Sequence, residues 1–222
     1  MEFSAVIVAA GKGERAGPGL AKQWRELGGK PVLRWSAEAL AKAGAKEIVV
    51  VIRPRDKPLA DAALEGIPGC KYADGQITRA RSVASGLAVL SPVDAVLIHD
   101  AARPFIPEGM IESLLKALGR AEGAIPALPV EDTLKKVLHT MVEKTVPREG
   151  LWRVQTPQAF RYETIKGAYD DIRRAALVTT DDAAVVEAFG RPVTQVQGDP
   201  RLMKLTFPED FALAEAIAAT LR

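Results

Sequence analysis

The chain has 222 residues, 48% of them apolar, and its 30 basic against 28 acidic side chains leave a formal charge of +2. That length supports one large α/β domain spanning residues 1–222 with a full core, and the near-balance of charge argues against nucleic acid or a membrane surface as the main partner, so any basic site must be local. The single cysteine, Cys70, rules out an intrachain disulfide framework and fits a reducing, cytoplasmic setting; no apolar run approaches the ~20 residues of a membrane span, and nothing before the first strand reads as a leader.

Val6, Ile7 and Val8 form a β-branched run suited to a strand buried on both faces of a parallel sheet. A glycine-rich loop follows. Gly11, Gly13, Gly17 and Gly19 free the backbone for close approach to a ligand, while Lys12, Arg15 and Lys22 make the surroundings positive, a combination that suits a polyphosphate. A Walker A loop would follow Gly11-Lys12 with a hydroxyl to ligate magnesium, but Gly13 stands there. The glycine spacing also departs from the dinucleotide fingerprint, and the second strand, 46–52, runs into Arg53 and not into an acid for an NAD ribose.

Residues 31–44 read as a helix with Pro31 at its first position, Gly44 at its end, and Val32, Trp35 and Ala39 facing the sheet. A helix at 56–66, a short strand at 70–73, a turn at Asp74-Gly75 and a helix at 78–90 come next. The strand at 94–99 delivers Asp100 at its C-terminal end. A helix at 111–120 and a strand at 123–130 continue the order of a doubly wound sheet, with helices on both faces of a mostly parallel, twisted sheet. Residues 132–152 lack a helical stripe and fit two strands; an extended β-arm and an ordinary edge hairpin satisfy the spacing equally. The last third reads as helices at 161–174 and 181–190, a strand at 191–198, and a final helix that opens with Pro208, Glu209 and Asp210.

Asp100 lies where open α/β sheets place their ligand sites. A carboxylate there can hold Mg²⁺ while phosphates complete the shell, or can cap the next turn. Arg103 could direct its fork at a phosphate or join a surface ion pair, and Arg148 alone is an ordinary solvated arginine. Lys204, flanked by Leu202, Met203 and Leu205, reads as a lysine inside an apolar strand that needs an anion, or as an edge-strand lysine that discourages aggregation. Thr156 and Thr180 are loop hydroxyls. His99 reads as a bland strand-end histidine, and with only two histidines in the chain a histidine-based zinc site is disfavoured. No nucleophile elbow, zinc-protease motif or Cys-His arrangement is present. An inventory of cations and one strand-end acid fits phosphoryl or nucleotidyl transfer, in which the protein mainly positions reactants and neutralises growing charge.

Taken in order over nearly the whole chain, AAGKGERAGPGLAKQ, HDAARP, DTLKK, PREGLW, QTPQAF, TTDDAA and KLTFPED resemble the 2-C-methyl-D-erythritol 4-phosphate cytidylyltransferases of the non-mevalonate isoprenoid pathway. The resemblance implies a Rossmann-like nucleotidyltransferase fold, a homodimer built through a β-arm at about 130–152, CTP and methylerythritol phosphate as substrates, and a divalent metal, usually Mg²⁺. It implies that Arg15 and Lys22 act at the α-phosphate of CTP, and that Lys204 and Arg148 of the partner subunit hold the sugar phosphate. Asp100 would lie between metal and substrate, with Arg103, Thr156 and Thr180 near the methylerythritol phosphate. Ala9, Ala10, Gly11, Lys12 and Gly13 would hold the nucleotide phosphates, and Gly75, Gln76, Ile77 and Ser82 would lie near the cytosine. Three positions depart from the family pattern: Ala21 replaces a proline, Gln76 a glycine of the cytosine loop, and Leu202 an asparagine. Ribitol 5-phosphate as acceptor, or a nucleotide-binding regulator without turnover, are the competing readings.

Overall fold

The computed structural model describes residues 1–13, 15, 17–175 and 180–221; Glu14 and Ala16 of the glycine loop and Thr179 of the TTDDAA segment lie outside the described residues. The first β-branched run forms β1 (Phe3–Val8), buried on both faces and paired with a parallel strand along each edge. A two-residue ladder, β2 (Glu26–Leu27) with β3 (Lys30–Pro31), leads into α1 (Val32–Lys42). Then follow β4 (Ile48–Ile52), α2 (Lys57–Leu64), β5 (Cys70–Asp74), α3 (Arg79–Val89) and β6 (Ala95–Asp100). The chain continues through α4 (Met110–Ala117), β7 (Gly123–Pro129), β8 (Leu134–Leu138), β9 (Met141–Val146), β10 (Trp152–Val154) and β11 (Gln158–Arg161). It ends with α5 (Tyr162–Ala175), α6 (Asp182–Ala188), β12 (Val193–Gln197) and α7 (Asp210–Thr220).

The main sheet has the order β10-β7-β11-β6-β1-β4-β5, with β12 paired to β7. Strands β1, β4, β5, β6, β7 and β12 run one way; β10 and β11 run against them. The sheet is therefore mixed but mostly parallel. Sequence reading alone contains neither antiparallel strand. Both are short, and Gln158, Ala159 and Phe160 are buried in the middle of the sheet, so they carry no alternation for a periodicity argument to find.

Apolar side chains cover both faces. On one, Ala5, Ile7, Val50 and Leu97 meet Leu33, Ala37 and Leu40 of α1 and Leu114 of α4; on the other, Val6, Val49, Val51 and Ile98 meet Val83 and Leu87 of α3 and Ile165 and Tyr169 of α5. The expected stripe of α1 is corrected by this packing. Leu33, Ala37 and Leu40 face the sheet, whereas Val32 and Trp35 turn outward onto Leu27, Phe105 and α7, with Trp35 set edge-on to Phe105 at 5.1 Å. A helix packed on two sides carries two apolar stripes, and sequence period does not say which one meets the sheet. Pro31 caps α1 from outside and does not begin it.

Gly86 is where α3 comes closest to the sheet: a Cβ there would lie 2.6 Å from Cγ1 of Val6 and 2.9 Å from Cγ2 of Val51. The segment 132–152 resolves into a separate two-stranded ladder, with Leu134 opposite Val146 and Leu138 opposite Met141. This pair stands off the main sheet, and Val137, Leu138, Met141 and Val142 are all more than half exposed.

Candidate nucleotidyl-transfer site

The parallel strands β6, β1, β4 and β5 end on one edge of the sheet, and the loops after them enclose a cleft of about 880 Å³. The glycine loop is held from below by Gln23, a buried side chain whose Nε2 donates to the carbonyls of Ala9 at 2.7 Å and Gly11 at 3.0 Å. Gly75 lets the loop after β5 touch the loop after β1: a Cβ there would lie 2.2 Å from Cβ of Ala10.

Asp100 closes β6 as a buried carboxylate whose backbone N–H donates to Oγ1 of Thr156 at 3.0 Å. Its Oδ2 accepts from Nζ of Lys204 at 2.7 Å and its Oδ1 from Nε of Arg79 at 3.0 Å. The two Nη atoms of Arg79 run on to Asp182, at 3.0 and 2.8 Å, and the hydroxyl of Tyr169 donates to the same carboxylate at 2.6 Å. Lys204, Asp100, Arg79 and Asp182 thus form an alternating chain of charge. Burial by itself would raise the Asp100 carboxyl, but Arg79 and Lys204 outweigh it and hold the group well below the usual carboxylate range. Lys22 reaches across from the glycine loop, donating to the carbonyl of Leu205 at 2.6 Å; burial, then the nearby charges of Lys204 and Arg15, push its ammonium pKa down. Cations crowded enough to destabilise one another are poised for an anion.

The cleft collects the 9–13 segment, Arg15 and Lys22 from the first loop, Gly75, Gln76, Ile77 and Ser82 from beyond β5, and Asp100 with Lys204. Four sequence candidates stand elsewhere. Thr156 is buried beneath Asp100 and bonded to it; Arg103 donates to the carbonyl of Leu202 and keeps a buried Nε without a hydrogen-bond partner. Thr180 is exposed just before α6, and Arg148 donates to the carbonyl of Glu131 at the base of the arm. The segment around Lys204 is corrected too: it is not a strand but irregular chain after a short 3₁₀ turn at Pro200–Leu202. Leu202 and Leu205 enter different core clusters, which leaves Lys204 pointing at Asp100.

Arg79, Asp182 and Gln23 belong to the site's framework without having been singled out from sequence, and Arg53, which the sequence offers only as the residue standing where an NAD-binding acid would be, lines the same cleft. Arg79 had a signal: a cation in the first turn of a helix opposes the helix dipole and needs an acid nearby. Its partners lie 21 and 103 residues away.

A family model, IspD: 2-C-methyl-D-erythritol 4-phosphate cytidylyltransferase, matches residues 3–220. The chain belongs to this family. Among curated cytidylyltransferase relatives, the enzyme of Geobacillus thermodenitrificans is 41% identical over 99% of this chain and 98% of its own length. A bifunctional IspD/IspF enzyme of Caulobacter vibrioides is 52% identical over the whole chain, which spans 58% of that relative's length. Solved structures of 2-C-methyl-D-erythritol 4-phosphate cytidylyltransferase from Thermus thermophilus and of 4-diphosphocytidyl-2C-methyl-D-erythritol synthase from Anaerococcus prevotii superpose with TM-scores of 0.83 and 0.85 at 36% and 30% identity; the first covers 99% of this chain and 100% of its own, the second 98% and 96%. The mostly parallel sheet and its helices are those of the family's nucleotidyltransferase fold.

Proposed function

We propose that this chain transfers CMP from CTP to the phosphate of 2-C-methyl-D-erythritol 4-phosphate, giving 4-diphosphocytidyl-2-C-methyl-D-erythritol and pyrophosphate in isoprenoid precursor synthesis. The observation that carries the reading is the meeting of Lys22 and Lys204 with Asp100 in one cleft beside a glycine loop. An oxygen of the acceptor phosphate attacks the α-phosphorus; the bond from that phosphorus to the bridging oxygen breaks, and pyrophosphate leaves. A phosphate monoester has its second pKa near ~6, so the nucleophile is already ionised at neutral pH and needs no general base. The chemical problem is repulsion between two anions. A cation ~4 Å from the developing charge supplies about 4 kcal/mol at an effective dielectric of 20, so in this reading most of the barrier reduction comes from several such groups, here Arg15, Lys22 and Lys204.

Asp100 holds Lys204 and Arg79 in place, and Thr156, through the Asp100 backbone, fixes that carboxylate. The donor set fits Mg²⁺ brought in by the triphosphate. Asp100 is one carboxylate at the cleft, and no cluster of three or more His, Cys, Asp or Glu among the described residues could cage a metal alone, as suits an ion that takes most of its shell from phosphate and water. Such an ion, when bound, neutralises and orients phosphate oxygens.

The arm is read as the dimer contact, since a second copy would cover its exposed Val137, Leu138, Met141 and Val142. Arg148 at its base would then serve the cleft of the partner, beside Arg103 and Thr180 as acceptor contacts. The half-buried thiol of Cys70, its pKa pushed up by burial, and the lack of any helix among the described residues able to cross a membrane suit a cytoplasmic enzyme. Pyrophosphate release from CTP tests the reading: methylerythritol phosphate as acceptor should support turnover and ribitol 5-phosphate should not, and the reverse result would overturn it.

A further inference from the structure

The cleft has two ends. Asp100 and Lys204 stand on the β6 side of β1, while β4 and β5 bring Arg53, Gly75 and Gln76 to the opposite side. Arg53 follows directly on β4, two strand spacings or about 10 Å from the line of β6. Its Nε donates to Oδ2 of Asp56 at 2.7 Å, and the same buried oxygen accepts the indole N–H of Trp24 at 3.3 Å. One edge of the guanidinium is therefore fixed. Among the described residues, neither Nη of Arg53 has a hydrogen-bond partner, and both belong to a side chain that lines the cleft.

The proposed reading sets the phosphates at the cations of the glycine loop and at Lys204, which leaves the β4–β5 end, where the loop after β5 offers Gly75, Gln76 and Ile77 and no cation, for the nucleoside. The backbone N–H of Gln76 at that end is already committed to Oγ of Ser82, at 2.9 Å, and is not free to read a base. We propose that Arg53 is a specificity residue whose two Nη–H donors read the adjacent acceptors O2 and N3 of cytosine. A planar fork matches two neighbouring acceptors. Uracil carries a hydrogen on N3, so the same fork would meet one acceptor and one donor. The inference rests on the nucleotide-binding reading of the cleft and adds to it the group that selects the base.

The test uses the Arg53→Met and Arg53→Lys variants of the full chain. Dissociation constants for CMP and UMP are measured by calorimetry, and kcat and KM for CTP and UTP by pyrophosphate release. The expected result is an about ten- to hundred-fold fall in the preference for the cytosine nucleotide, as for loss of a bidentate base contact, carried by Kd and KM with kcat little changed. Arg53→Lys keeps a cation beside Asp56 and decides the matter if Arg53→Met does not fold. An unchanged preference, or an equal loss for both nucleotides as from a phosphate clamp, would overturn the assignment. If the wild-type chain fails to turn over methylerythritol phosphate, the activity reading falls while CMP and UMP binding still judges Arg53.

Discussion

Asp100 keeps its charge in the interior because two cations clasp it, and His99 beside it keeps none. The His99 ring is fully buried, with Nε2 at 2.8 Å from the carbonyl of Arg103 and Nδ1 at 3.2 Å from Oγ1 of Thr156. A carbonyl only accepts, so the proton sits on Nε2 and Nδ1 accepts from Thr156. Burial pushes the imidazole down to about 4 from 6.5. Between those values the unfolded chain binds more protons than the folded one, so stability falls as pH drops from about 6.5 towards 4, by about 3 kcal/mol in all. The depressed pKa of Asp100 adds its own loss only below its unfolded value of 3.8. Urea unfolding at pH 7, 5.5 and 4.5 should show the first loss in the wild-type chain and a much flatter profile in His99→Gln; equal slopes would contradict it. Lys22 belongs to the same scale. Lys22→Ala should lower kcat about 10²- to 10³-fold with CTP affinity changed far less, as for loss of a transition-state donor, and steady-state kinetics beside direct CTP binding would reveal the split.

Elements set the reach of those residues. Helix α3 brings Arg79 and Ser82 to the cleft only because Gly86 lets it lie against Val6 and Val51. Gly86→Ala should cost about 1–3 kcal/mol in denaturant unfolding, the usual cost of overpacking. The proposed role of the β8–β9 arm carries a prediction of its own: if the arm joins two copies and presents Arg148 to the partner's cleft, Leu138→Glu with Met141→Glu should halve the mass in analytical ultracentrifugation and raise the KM for the acceptor, and an unchanged mass would contradict the dimer contact. Elements also separate what the sequence discloses from what it hides. Long runs of clear period, such as Val6–Val8 or Val83, Leu87 and Leu90, state their place outright. The four residues of β11 do not, because their partners in β6 and β7 make them a strand. Lys22, Asp100 and Lys204 are each visible as a charge in an apolar or glycine-rich setting. Arg79 shows locally only that a first-turn cation needs an acid; that the acid is Asp182, 103 residues away, is beyond the reach of any local pattern.

At the scale of the whole molecule, a chain of formal charge +2 assembles a strongly positive site by bringing positions 12 to 204 to one edge of a sheet. Parallel strands make this possible, since β1, β4, β5 and β6 all release their loops on the same side. In the function proposed, these cations act on the α-phosphorus of CTP and on no other. The most direct measurement follows two isotopic labels with methylerythritol phosphate as acceptor, one on the α- and one on the γ-phosphate of CTP. The α-label should appear in the organic product and the γ-label in pyrophosphate, with both transfers lost in Lys22→Ala. Transfer of the γ-label to the acceptor, or release of the α-label as free nucleotide, would contradict the account.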